Sequence, residues 1–142
     1  MKKNLLVTIL VVSIITIVSC TSKHEKIESG LIGTWQIEDI TYTLDENAMV
    51  TAESLDQLIE QQKAVIWKFD TDSVIEISLT VGEKTYSQEG KWYVAADNEK
   101  IVCTFPSTGA QEKNINLSKD KLTLTENIDN IGVLKTFLIK QK

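Results

Sequence analysis

The sequence predicts an all-β domain: an eight-stranded antiparallel meander barrel with one short helix between the first and second strands. Three observations predict it. Apolar residues recur at every second position through most of the chain after Gly30, the period of a strand with one buried face. Clusters of turn-forming residues separate these runs at short intervals, which favours hairpin connections. One stretch, from Thr51 to Lys63, abandons the alternation for helical spacing.

The first strand spans Gly33 to Leu44. Trp35 and Ile37 share one face, whereas Ile40, Tyr42 and Leu44 share the other. One extra residue near Glu38-Asp39 returns both sets to the interior, which is the signature of a β-bulge bending a strand around a barrel corner. In the helix that follows, Leu55, Leu58, Ile59 and Gln62 fall on one stripe; Thr51 can serve as N-cap, and Glu53 favours the first turn electrostatically. A barrel has two open ends, and this helix is expected to cover one, with Leu55, Leu58 and Ile59 as the lid contacts.

The second strand carries Val65, Trp67 and Phe69 on one face. The third sets Ile75, Ile77, Leu79 and Val81 against Val74, Glu76, Ser78 and Thr80. In the fourth, Tyr86, Gln88, Gly90, Trp92 and Val94 share a side. Ile101, Cys103 and Phe105 define the fifth, Ile115 and Leu117 the sixth, Leu122 and Leu124 the seventh. The last, Val133 to Lys140, is apolar on both faces, and Phe137 and Ile139 are expected to point inward. Asp70-Thr71-Asp72-Ser73, Gly82-Glu83-Lys84, Asp97-Asn98-Glu99, Pro106-Ser107-Thr108-Gly109, Ser118-Lys119-Asp120 and Asp129-Asn130-Ile131-Gly132 supply the turns.

Length and composition agree with one domain. At 142 residues and 42% hydrophobic content the chain is too apolar to be disordered, and 25% charged residues exclude a protein of many membrane spans. All 15 basic residues are Lys, against 20 acids, for a net charge of −5. Such a chain repels phosphate backbones and has no guanidinium fork, so no nucleic-acid partner is expected.

Residues 1–19 form a lipoprotein signal peptide in this reading. Lys2 and Lys3 are a positive n-region, Leu5 to Val18 an uncharged apolar core, and Ile17-Val18-Ser19-Cys20 closes the segment. The apolar run is shorter than the roughly 20 residues of a spanning helix. Ile-Val-Ser-Cys resembles the bacterial lipobox. That resemblance implies cleavage before Cys20, lipidation of its thiol, usually acylation of its new amine, and anchoring by several chains in the outer membrane, on its periplasmic side or at the cell surface. Residues 20–29, including the one histidine, His24, then read as a flexible tether, and residues 30–142 as the barrel domain. With Cys20 lipidated, the second cysteine, Cys103, has no disulfide partner in the chain; alternating with Ile101 and Phe105, it reads as a small buried hydrophobe.

Gly33-Thr34-Trp35, at the entrance to the first strand, resembles the Gly-x-Trp signature of lipocalins, in which the Trp closes one barrel end. With Gly90-Lys91-Trp92 and the run Leu117 to Leu124, the body resembles the lipocalin-like domains of Bacteroidetes lipoproteins over most of residues 31–140. Two departures favour the broader calycin-like group. The Arg that lipocalins pack on this Trp is missing, leaving Lys135 or Lys140 as substitutes, and the helix comes early, closer to the fatty-acid-binding-protein plan. Asp72-Ser73-Val74 also resembles a Bacteroidetes O-glycosylation pattern, although an ordinary turn accounts for it.

These features suggest a membrane-anchored envelope lipoprotein, monomeric, whose barrel binds a small hydrophobic ligand. Trp35, Tyr42, Trp67, Ile77, Trp92 and Phe105 are the candidate lining. The competing reading, which the bulky inner residues favour, is a filled core serving a structural or protein-interaction role. No enzyme is expected: no paired acid–base groups, metal-ligand spacing or phosphate-binding glycine loop is present in the sequence, and no cofactor or metal is implied.

Overall fold

The computed structural model describes residues 22–142. The signal segment, residues 1–19, and Cys20 lie outside the described residues. The strands are β1 (Gly33–Leu44), β2 (Val65–Phe69), β3 (Val74–Val81), β4 (Lys84–Val94), β5 (Lys100–Phe105), β6 (Gly109–Ser118), β7 (Lys121–Ile128) and β8 (Gly132–Lys140). Each pairs antiparallel with its sequence neighbour, and β8 returns to β1, so the eight strands close into a barrel. Closure supplies the outermost strands with partners that an open sheet would lack.

The bulge expected in β1 is present. Ile37 pairs with Leu138 but Asp39 pairs with Phe137, leaving Glu38 as the extra residue. Trp35, Ile37 and Ile40 are consequently all buried despite their phase change, with Tyr42 half-buried beyond them. At the start of the strand Gly33 has φ +135°, a conformation that L side chains rarely adopt. Gly90 is needed for space: a Cβ there would lie 2.5 Å from the Thr104 carbonyl oxygen of β5.

A helix, α1 (Lys23–Leu31), occupies most of the stretch read as a flexible tether. Ser22 caps it: the Ser22 hydroxyl accepts from the Glu25 backbone N–H at 3.1 Å, and the Glu25 carboxylate accepts from the Ser22 N–H at 3.3 Å. Leu31 is fully buried, Ile27 packs against the core, and His24 contacts Asn98 Oδ1 at 2.7 Å and Glu28 Oε1 at 3.1 Å. The segment is ordered because these residues dock it across one end of the barrel.

The second helix, α2 (Ala52–Gln62), has the expected Thr51 cap, whose hydroxyl accepts from the Ser54 N–H at 3.2 Å. It lies at the opposite end, joining the end of β1 to the start of β2. Ile59 is buried and Leu55 packs against the core, but Leu58 is 53% exposed and makes no lid contact. The geometric reason is that Leu55, Ile59 and Gln62 stack at i, i+4 and i+7, while Leu58 falls at the edge of that stripe.

In β8 the inward phase is opposite to the expected one. Leu138 is buried and pairs with Leu122 and Ile37, whereas Phe137 and Ile139 belong to the outward set. Pairing register decides the side, because a one-residue slip would expose the whole inner set. The core is one contiguous cluster running from Leu31 through Trp35, Phe69, Trp92 and Ile101 to Leu138. Residues 22–142 therefore contain a closed backbone ladder and a complete core of their own, which are the requirements of a domain that folds alone.

Candidate functional site

The two ends of the barrel are built differently. Under α1, Trp35 is fully buried and donates its indole N–H to the Leu31 carbonyl at 2.7 Å. Lys140 lies over the Trp35 ring, its Nζ 5.3 Å from the centroid, and donates to the Gly30 carbonyl at 2.8 Å. A lysine thus occupies the place over the Trp, and its long stem covers ring surface while its charge faces the π-cloud. Phe69 and Trp92 meet edge to face at 5.3 Å, and the Trp92 indole donates to the Asp70 carbonyl at 3.2 Å. This end is packed.

Towards α2 the lumen opens into a cavity of about 290 Å³. Its apolar wall comes from Ile37, Ile40, Val65, Trp67, Ile77, Leu124 and Leu134. Its polar groups are few and converge: Gln111 and Lys113 from β6, Glu126 from β7, Thr136 from β8, and Gln62 from the last turn of α2. β1 pairs with β2 only from Gly33 to Gln36, so the far half of β1 diverges from β2 and α2 lies beside it. There the Tyr42 hydroxyl donates to Asp56 Oδ1 at 2.8 Å, and Lys63 Nζ lies 3.8 Å from Asp39 Oδ1.

Lys113 is the buried charge of the barrel, at 9% exposure. Each of Lys113 and Glu126 lies one residue beyond the Asn114–Thr125 pair that ends the β6–β7 ladder, and the Lys113 ammonium donates to a Glu126 carboxylate oxygen. Burial pushes the Lys113 ammonium below the usual lysine range, and the pairing supplies the counter-charge that burial demands. Cys103, fully buried on neighbouring β5, has its thiol pushed up to about 11 by burial, against a smaller opposing effect of Lys113. A neutral buried thiol is a poor nucleophile, so Cys103 packs. Among the described residues no group of His, Cys, Asp and Glu side chains is arranged to hold a metal ion.

Of the residues that sequence singles out for the lumen, Trp67 and Ile77 line the cavity. Trp35, Trp92 and Phe105 are core, each buried to 4% exposure or less and away from the cavity. Tyr42 stands at the rim, engaged with Asp56. The polar lining of Gln111, Lys113, Glu126 and Thr136 went unrecognised. A signal existed for three of them: Gln111 and Lys113 continue the inward phase of Ile115 and Leu117, and Glu126 continues that of Leu122 and Leu124, whereas the ambiguous phase of β8 hid Thr136. The polarity of Glu126 argues for solvent, but its phase along β7 outranks it.

Neither a protein-family model nor a curated protein matches the chain. Among solved structures it is similar to a DUF4847 family protein from Bacteroides vulgatus, at 14% identity and a TM-score of 0.49, over 81% of this chain and 98% of that one.

Proposed function

We propose that this chain is a lipid-anchored lipoprotein of the outer membrane whose lipocalin-like barrel holds one small, mainly apolar ligand without transforming it. The observation that carries the reading is the cavity of about 290 Å³ between the packed core and α2. Ligand pockets run from roughly 300 to 1,000 Å³, and an eight-stranded barrel has room for one small molecule. The mixture of an apolar wall and a few convergent polar groups is the composition such pockets have. A filled core would have closed this space with side chains. Anchoring rests on the Ile17-Val18-Ser19-Cys20 motif. A binding role without catalysis fits the chemistry of the lumen, where the one ion pair is internally matched and the one thiol is protonated.

Native mass spectrometry of the protein released from its own host membranes tests the ligand. A small apolar molecule should accompany the intact domain and leave on unfolding. Preparations that carry no such mass, and whose tryptophan emission is unmoved by millimolar alkyl alcohols, would return the barrel to a structural or protein-docking role.

A further inference from the structure

The geometry points to a ligand of defined chemistry: a short-chain apolar molecule with an uncharged, hydrogen-bonding head, such as a hydroxyl or carboxamide, seated at the Lys113–Glu126 pair. This deepens the ligand-binding reading and rests on it.

Size comes first. At the ~30 Å³ that a water occupies in the liquid, the cavity of about 290 Å³ takes on the order of ten non-hydrogen atoms. That excludes sterols and long-chain lipids lying wholly inside. Charge comes next. The lumen holds one ammonium and one carboxylate, bonded to each other, so its net charge is zero. An ionised ligand head would bring an unmatched charge into a mainly apolar pocket whose remaining polar groups, Gln62, Gln111 and Thr136, are uncharged, and desolvation opposes it.

Hydrogen-bonding capacity then selects among neutral heads. One Glu126 oxygen receives the lysine, which leaves the second as an acceptor at the cavity, and Glu126 is the more open partner, with 24% of its side chain exposed against 10% for Lys113. The Gln111 amide and the Thr136 hydroxyl border the same space. A head that both donates and accepts finds both partners; an alkane or an ether does not offer the donor. The ion pair reads the ligand as a dipole.

The test is titration calorimetry on the domain from Ser22 onward, with four probes of matched chain: nonanol, nonanamide, nonanoate and nonylamine. Nonanol and nonanamide should bind at least tenfold more tightly than the two ions. Charge-unbalancing variants should then re-select the head: Glu126→Gln leaves the lysine unmatched and should make nonanoate the preferred probe, while Lys113→Met leaves the carboxylate and should favour nonylamine. A single unmatched buried charge can unfold the domain. The double variant Lys113→Met/Glu126→Leu removes both charges and keeps the volume apolar, and in it nonanol and nonanamide should each lose tenfold or more. Equal binding of all four probes by the unaltered domain, or tighter binding of either ion, overturns this ligand class while leaving a ligand-binding barrel standing. If none of the four binds, the ligand-binding reading itself falls. Undiminished nonanol affinity in the folded double variant would also overturn the role of the pair.

Discussion

Trp35 shows how much of this molecule hangs on single residues. It is fully buried, its indole N–H is satisfied by Leu31, and Lys140 covers its ring. Trp35→Ala would leave a large void between α1 and the barrel, and is expected to cost about 3–5 kcal/mol, read as a lowered denaturant midpoint. A midpoint within error of the unaltered protein would show Trp35 to be peripheral. Cys103 predicts a pH dependence. Its thiol holds the proton to about 11 in the folded state, against an ordinary value of 9.0. Between those values the folded state binds the extra proton, so this contribution is intact below pH 9 and lost as pH rises through about 11. At full effect it amounts to about 3 kcal/mol, because one pKa unit is worth about 1.4 kcal/mol. Chemical denaturation at pH 8 and pH 11 should show a steeper loss in the unaltered protein than in Cys103→Ala; parallel losses would count against it. Trp35 and Cys103 were legible because alternation puts bulky apolar residues inward. Lys113 and Glu126 obey the same alternation, but their polarity argues for solvent, and only the ion pair between them explains how Lys113 is buried with Glu126 turned inward beside it.

At the scale of the element, strands announced themselves wherever one face was polar. β8 did not, because Leu134, Phe137, Leu138 and Ile139 supply apolar candidates to both faces, and only its register with β1 and β7 decides between them. α1 was missed for another reason. Lys23–Leu31 is mostly polar, and its apolar contribution reduces to Ile27 and Leu31, yet Ser22 and Glu25 stand at the capping-box spacing that marks a helix start. α2 was legible as a helix, and its role is now specific. It is short, its core contact is Ile59 with Leu55, and its polar ties to β1 are the surface contacts Tyr42–Asp56 and Lys63–Asp39. Exposed ties of this kind hold weakly, so α2 should open before the strands do. Amide exchange over residues 53–62 is expected to exceed that of β3 and to slow when nonanol fills the cavity. Tyr42→Phe, which removes one tie, should raise exchange in α2 by about two- to fivefold, since a hydrogen bond at an exposed site adds little net stability. Strand-like protection of α2 that ligand leaves unchanged would identify it as a fixed plug.

At the scale of the whole molecule, the anchor and the cavity constrain each other. α1 begins at Lys23 with its cap at Ser22, and it lies across the packed end of the barrel, with His24 against Asn98 and Leu31 beneath Trp35. If Cys20 carries lipid, only Thr21 separates the anchor from that cap, and the two steps along the chain reach at most about 7 Å at roughly 3.3–3.6 Å per residue. So short a link holds the packed end against the bilayer and turns the α2 end, with its cavity, towards the aqueous side. Exchange of ligand would then take place with solvent or a soluble partner and not directly with the membrane interior. Two positions report the orientation. Lys119 is in the β6–β7 turn at the packed end, and Met49, 88% exposed, lies between β1 and α2 at the other. Lys119→Cys and Met49→Cys, each labelled with a fluorophore on the lipidated full chain in vesicles, should differ sharply: headgroup quenchers should dim the label at 119 and spare the one at 49. The buried Cys103 should take no label. A matched Cys20→Ala chain should lose incorporation of a palmitate analogue, and with it any quenching that depends on the anchor. Equal quenching at both positions would mean that the domain swings freely, and stronger quenching at 49 that the cavity faces the lipid. Undiminished palmitate label in Cys20→Ala would remove the anchor, and the orientation with it.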